Sequence, residues 1–189
     1  MKRLVLTAAL VVAVISMTAV AAFAGGGKLK CFADSPATCT LNSAVSATID
    51  TTGGGDAGVY LTNGKSMNGA LLASVDFSFT YFCADTTDYT TCTGGGAARW
   101  SIPISTDGSS KTTESYAFID AASCGNTGTV STTLASCPVF LNTGGSWANW
   151  DEFAAANPTY TISSAVPFII SDVQTESAAI VSNVNATKS

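Results

Sequence analysis

The chain has 189 residues, 47% of them hydrophobic and 11% charged, with thirteen acidic residues against eight basic ones, six Cys, 17 Gly and no His. Ordinary soluble domains carry about 25% charged residues, so Ser, Thr, Asn and Gly must solvate much of this surface. The lack of His excludes a Ser-His-Asp triad, a Cys-His nucleophile pair, a Cys/His zinc site and imidazole acid/base catalysis.

Lys2 and Arg3 precede an apolar stretch from Leu4 to Ala22, and Ala22-Phe23-Ala24 offers a small-x-small cleavage site. Residues 1–24 are therefore expected to be a signal peptide. A flexible segment at 25–30, a single domain at 31–184 and a frayed tail at 185–189 should follow. An uncleaved anchor is the competing reading, because the apolar run approaches the roughly 20 residues that span a bilayer. No later segment has that character: Asp172 and Glu176 interrupt the apolar stretch from Ala165 to Val184. The expected location is outside the cell, secreted or at its surface. Cleavage would leave Arg99 and five scattered Lys as the basic residues, with no stripe to collect phosphates. Nucleic acid and anionic lipid are thus not expected partners.

The six Cys fall in three close pairs: Cys31 and Cys39, Cys83 and Cys92, Cys124 and Cys137. In an oxidising compartment this spacing predicts three local disulfides, each bracketing a turn-rich polar stretch. Closing loops of this size stabilises by about 2.5–3 kcal/mol each. No C-x-x-C occurs, which argues against a metal role.

Taken in order, β-rich runs occur at 44–51, 58–62, 75–83, 100–104, 115–120, 128–134, 138–142, 159–163, 168–173 and 178–183. The clearest is Val75 to Cys83, where Val75, Phe77, Phe79, Tyr81 and Cys83 share one face and Asp76, Ser78 and Thr80 the other. Trp100, Ile102 and Ile104 alternate likewise. Pro103 beside them lacks a ladder donor, which predicts a sheet edge or a bulge. Asn63-Gly64, Asn68-Gly69 and Thr106-Asp107-Gly108 are turn signals. The stretch at 146–157, SWANWDEFAAAN, breaks the alternation. It places Trp147, Trp150 and Phe153 at helical spacing between a Ser146 cap and the Asn157-Pro158 stop, and predicts a short helix. Together these elements predict an all-β, antiparallel β-sandwich, Ig-like or jelly-roll-like, with a β-barrel as the alternative.

Motifs that carry chemistry are few. Gly53-x-Gly55-x-x-Gly58 spells a dinucleotide fingerprint, but Val59-Tyr60-Leu61 follows where a helix is required. Gly64-Lys65-Ser66 ends like a phosphate loop, yet five residues instead of four separate it from Gly58. Both are read as glycine-rich hairpin loops. No G-x-S-x-G elbow and no S-x-x-K dyad occur. Carboxylates remain, with Asp76, Asp120 and Asp172 in or beside strands, but no pair is recognisable at glycosidase spacing. Asp85 and Asp88, inside the Cys83–Cys92 loop, and Asp107 are weak candidates for calcium. Trp100, Trp147, Trp150, Tyr60, Tyr89 and Tyr116 are candidates for stacking against a sugar, with Tyr89 the better exposed one on its disulfide-closed loop. No other cofactor is expected.

The expectation is an exported, non-enzymatic protein with a structural or binding role, meeting a neutral glycan or another surface protein. A carbohydrate-binding module is the alternative. A carboxylate-dependent glycoside hydrolase is the second, and requires two carboxylates in one cleft.

Overall fold

The computed structural model describes residues 28–189, so the expected signal peptide lies outside the described residues. In chain order the described residues form β1 (Leu29–Ala33), β2 (Thr38–Ser43), β3 (Ser46–Asp50), β4 (Ala57–Leu61), β5 (Val75–Cys83), β6 (Arg99–Ser105) and β7 (Ser115–Asp120). There follow β8 (Thr129–Ser131), β9 (Val139–Leu141), β10 (Ser146–Trp147), α1 (Trp150–Ala156), β11 (Thr161–Ile162), β12 (Phe168–Ser171) and β13 (Ala179–Lys188). The strands pair antiparallel in two sheets. The first runs β1-β4-β12-β6-β7-β9-β10, with β11 also beside β6, and the second runs β2-β3-β13-β5-β8. The molecule is the all-β sandwich that the alternating runs predict.

The core sits between the sheets and is aromatic at its centre. The inward stripe of β5 supplies Phe77 and Phe79, whose ring centroids lie 5.4 and 6.0 Å from that of Trp100 on β6. Edge-to-face contacts of this kind add about 0.5–1.5 kcal/mol beyond the apolar area they bury. Trp150 and Phe153 pack into the same cluster from α1, and the Trp150 indole N–H donates to the Leu72 carbonyl at 3.0 Å.

The three nearest-neighbour disulfides form as the spacing predicts. They do different jobs. Cys31–Cys39 joins β1 to β2, and so ties one sheet to the other. Cys83–Cys92 closes the loop after β5. Cys124–Cys137 brackets β8, where the chain leaves the first sheet, adds a strand to the second and returns as β9.

Four local expectations are corrected. The helix begins at Trp150, not Ser146: Asn149 is its cap, its side chain accepting from Glu152 N, while Ser146 and Trp147 pair with β9. An Asx cap three residues before Glu152 competes better than Ser146 because the backbone around Gly144 and Gly145 (φ 103° and 108°) turns the chain back into a hairpin. Pro103 is neither at an edge nor at a recorded bulge. It lies inside β6 where the neighbour on one side changes from β12, paired to Arg99–Ser101, to β11, paired to Ile104–Ser105. Its missing donor falls at that junction. Residues 185–188, read as a tail, are strand: Asn185 to Lys188 pair with Ser78 to Val75 beyond a register shift in β13. Finally, the Gly53–Gly58 stretch is not a hairpin loop but the crossing from β3 in one sheet to β4 in the other.

Candidate functional site

The outward face of the first sheet carries aromatic residues where an antiparallel sandwich ordinarily presents polar ones. Register places Tyr60 of β4 directly opposite Phe168 of β12, and Lys30 of β1 opposite Tyr60. One step along, Phe32 faces Gly58. A Cβ at position 58 would collide with the Phe32 ring and the Ile169 carbonyl, so glycine is what lets that ring lie flat across the strand. Phe32 then meets Tyr60 at 4.6 Å and Phe168 at 5.8 Å, and Tyr116 of β7 meets Phe168 at 6.0 Å. The rings are tilted or edge-on to one another, with Phe32 and Tyr60 at 40° and Phe32 and Phe168 at 82°. Tyr60 is the most open of them, 37% exposed.

Beside this cluster lies an open groove of about 520 Å³. Its walls are Tyr60, Tyr116, Phe168, Val166, Ala165 and Thr62, and its cationic edge is Lys30 and Lys65. That volume falls within the roughly 300–1,000 Å³ typical of small-ligand sites. Lys65 reaches the groove from a short 3-10 turn, Gly64–Met67. A Cβ on Gly64 would strike Pro167, so the glycine permits the close approach of that turn to the lead-in to β12.

The other sequence-derived candidates lie elsewhere. Trp100 is fully buried and Trp150 nearly so, each fixed in the aromatic core, which removes both as rings that a ligand could reach. Trp147 is half-buried and packs on Phe153 at 4.8 Å. Tyr89 is 39% exposed, but its ring leans edge-on against Tyr81 at 5.7 Å and lies over Gly128. The structure thus gathers Trp147 and Trp150 around Phe153 as packing and leaves Tyr89 alone on its loop. Of the groove rings, Tyr60 and Tyr116 are among the aromatic residues the sequence offers for a sugar, whereas Phe32 and Phe168 are not, because β1 is short and weakly patterned and β12 reads as an apolar run without alternation. The available signal was an aromatic residue at the outward position of β4, β12 and β7, of which the first two pair directly while β6 lies between β12 and β7.

The carboxylates proposed for calcium are used locally. Asp88 accepts from Thr90 N at 2.8 Å, and Asp107 accepts from Ser109 N and Ser105 Oγ, bonds that hold both carboxyls below the ordinary range. Asp85 is exposed on the same loop as Asp88. Among the described residues no group of three or more His, Cys, Asp or Glu is placed to hold a metal ion.

Asp120 and Asp172, by contrast, meet around Arg99. Arg99 pairs with Asp172, stands opposite Asp120 in the β6–β7 register and lies 4.3 Å from the centroid of the Phe118 ring. Asp120 also accepts from Gly96 N at 3.1 Å. Burial pushes both carboxyls above the ordinary range, and the shared guanidinium opposes this without cancelling it. Asp76, the third strand carboxylate, is exposed on the outer face of β5. No carboxylate lines the groove.

No protein-family model, curated protein or solved structure matches the chain.

Proposed function

We propose that this is an exported, non-enzymatic β-sandwich that works by binding a polymer outside the cell, and that carbohydrate is the class of polymer. Three disulfides suit an oxidising compartment. The observation that carries the reading is the gathering of Phe32, Tyr60, Phe168 and Tyr116 on one outward sheet face beside an open groove. Aromatic rings offer flat apolar surface at low entropic cost, and the tyrosine hydroxyls and Thr62 supply hydrogen bonds at its border. The mutual tilt of the rings disfavours lying along a flat crystalline polymer. It favours one or two sugar units seated on Tyr60 with their edges toward Thr62 and Tyr116. A lining without carboxylates supports holding over hydrolysis.

The test is a glycan and polysaccharide array probed with the wild-type protein and the Tyr60→Ala variant, with and without calcium. Saturable binding that is lost in the variant, at unchanged melting temperature, supports the reading. Absence of binding to every glycan overturns it and turns attention to a protein partner.

A further inference from the structure

The groove's cationic edge stands out against the rest of the chain. The described residues contain five Lys and one Arg against all thirteen acidic residues. Arg99 is committed to Asp172, and this is the one ion pair among the described residues. Lys30 and Lys65 therefore have no carboxylate partner there, and both line the same groove, reached from two elements far apart in sequence. Lys28 stands two residues before Lys30, and its carbonyl accepts from Thr62 N at 3.1 Å, which fixes the start of β1 beside the groove wall. Two uncompensated ammonium groups beside an apolar floor form a cationic spot on an acidic molecule. Such a spot draws anions and repels nothing that is neutral.

Resting on the carbohydrate-binding reading above, we infer that the groove selects an acidic pyranose, with the apolar face of the ring on Tyr60 and Phe168 and its negative group between Lys30 and Lys65. The shared chemistry is a sugar ring bearing either a carboxylate or a sulfate ester. A neutral sugar would find the same floor but leave both ammonium groups to water. An acidic one replaces that water with charge-assisted hydrogen bonds. Lysine suits this role because its three donors swing on a flexible stem and demand no fixed fork geometry. The ammonium groups are solvent-exposed, so the preference weakens as salt rises.

The experiment is calorimetric titration of the purified protein with paired probes that differ only in charge. Oligogalacturonate is set against its methyl ester, and a sulfated galactan oligosaccharide against its desulfated form. The expected result is that at least one charged member binds about ten-fold tighter than its neutral counterpart in low salt. The ratio should shrink toward unity in high salt, and the more favoured pair identifies carboxylate or sulfate. The Lys30→Gln/Lys65→Gln double variant should bring the charged and neutral members to equal affinity. Tyr60→Ala should weaken both members alike. Equal binding of charged and neutral members, lost in Tyr60→Ala, overturns the acidic preference and leaves the binding reading standing. A charge preference untouched by the double variant also overturns it, since the anion then sits elsewhere. Failure of all four probes to bind overturns the acidic inference, and the glycan array then decides the broader reading separately.

Discussion

Two aromatic clusters occupy this sandwich, and they differ in what covers them. Between the sheets, Phe77, Phe79, Trp100, Trp150 and Phe153 are closed over by both layers and by α1. On the outside of the first sheet, Phe32, Tyr60, Phe168 and Tyr116 contact one another at similar spacings, and Tyr60 stays open to solvent. Ring content and geometry are therefore poor guides to role. What separates the clusters is the presence of a second layer, which turns the first into stability and leaves the second available for contact.

The sharpest way to break this contrast is to truncate one ring from each. Trp100→Ala should cost about 3–5 kcal/mol, since a large buried side chain leaves a cavity that the two sheets cannot close. Tyr60→Ala should change stability by less than about 1 kcal/mol, because a half-open ring leaves space that water fills. Urea denaturation of the two variants decides it, and equal losses would erase the distinction.

Next in size come the disulfides. Removing Cys31–Cys39 by paired Ser substitution should cost about 2–3 kcal/mol, read as a lower denaturation midpoint. Because this bond joins the strand bearing Lys30 and Phe32 to the other sheet, ligand affinity should fall with it. Opening Cys83–Cys92 should lower stability and leave groove binding unchanged.

A third prediction concerns pH. Asp120 and Asp172 have folded pKa values raised above their unfolded ones by burial, so the native state holds protons more tightly than the unfolded chain. The stability they contribute is full below the ordinary carboxylate value and is lost as pH rises through their raised folded values. Asp88, Asp107 and Glu114 act the other way, their contribution being present above the ordinary value and lost as pH falls through their lowered folded values. The melting temperature should therefore climb as pH is lowered from neutrality into mild acidity, then fall on further acidification. Asp120→Asn should flatten the first rise, and a melt that only declines below neutrality would contradict this account.

The smallest expected effect is at the helix start. Asn149→Ala removes the acceptor for Glu152 N and should cost about 1 kcal/mol by the same denaturation assay.

Much of the sandwich was legible because its central strands alternate. Val75–Cys83 and Ser115–Asp120 were read at their full observed extents, and the Cys spacing pointed to the right pairs. β1 and β2 were not recognised. LKCFA and TCTLNS are short and weakly patterned, and they hold their place through β4, β3 and the bond between Cys31 and Cys39. The end of β13 was missed for a related reason: Asn183, at φ 50°, and the register shift beyond it break the alternation before it resumes. The groove was least legible. It assembles residues from β1, β4, β7, the turn at 64–67 and the approach to β12, and only the pairing order of the sheet makes them neighbours. Tryptophans drew attention by their size, whereas size is what drives a ring into the core.

The place of β13 bears on when the fold can form. It is the last of the described strands in chain order, yet it lies in the middle of the second sheet, hydrogen-bonded to β3 on one side and β5 on the other. Until residues 179–188 are available, β3 and β5 have no strand to join them, and the second layer cannot close with Phe77 and Phe79 over Trp100 of the first. The second sheet of this design is therefore closed by the described strand that is made last, so its earlier strands wait on a distant partner before they can pack.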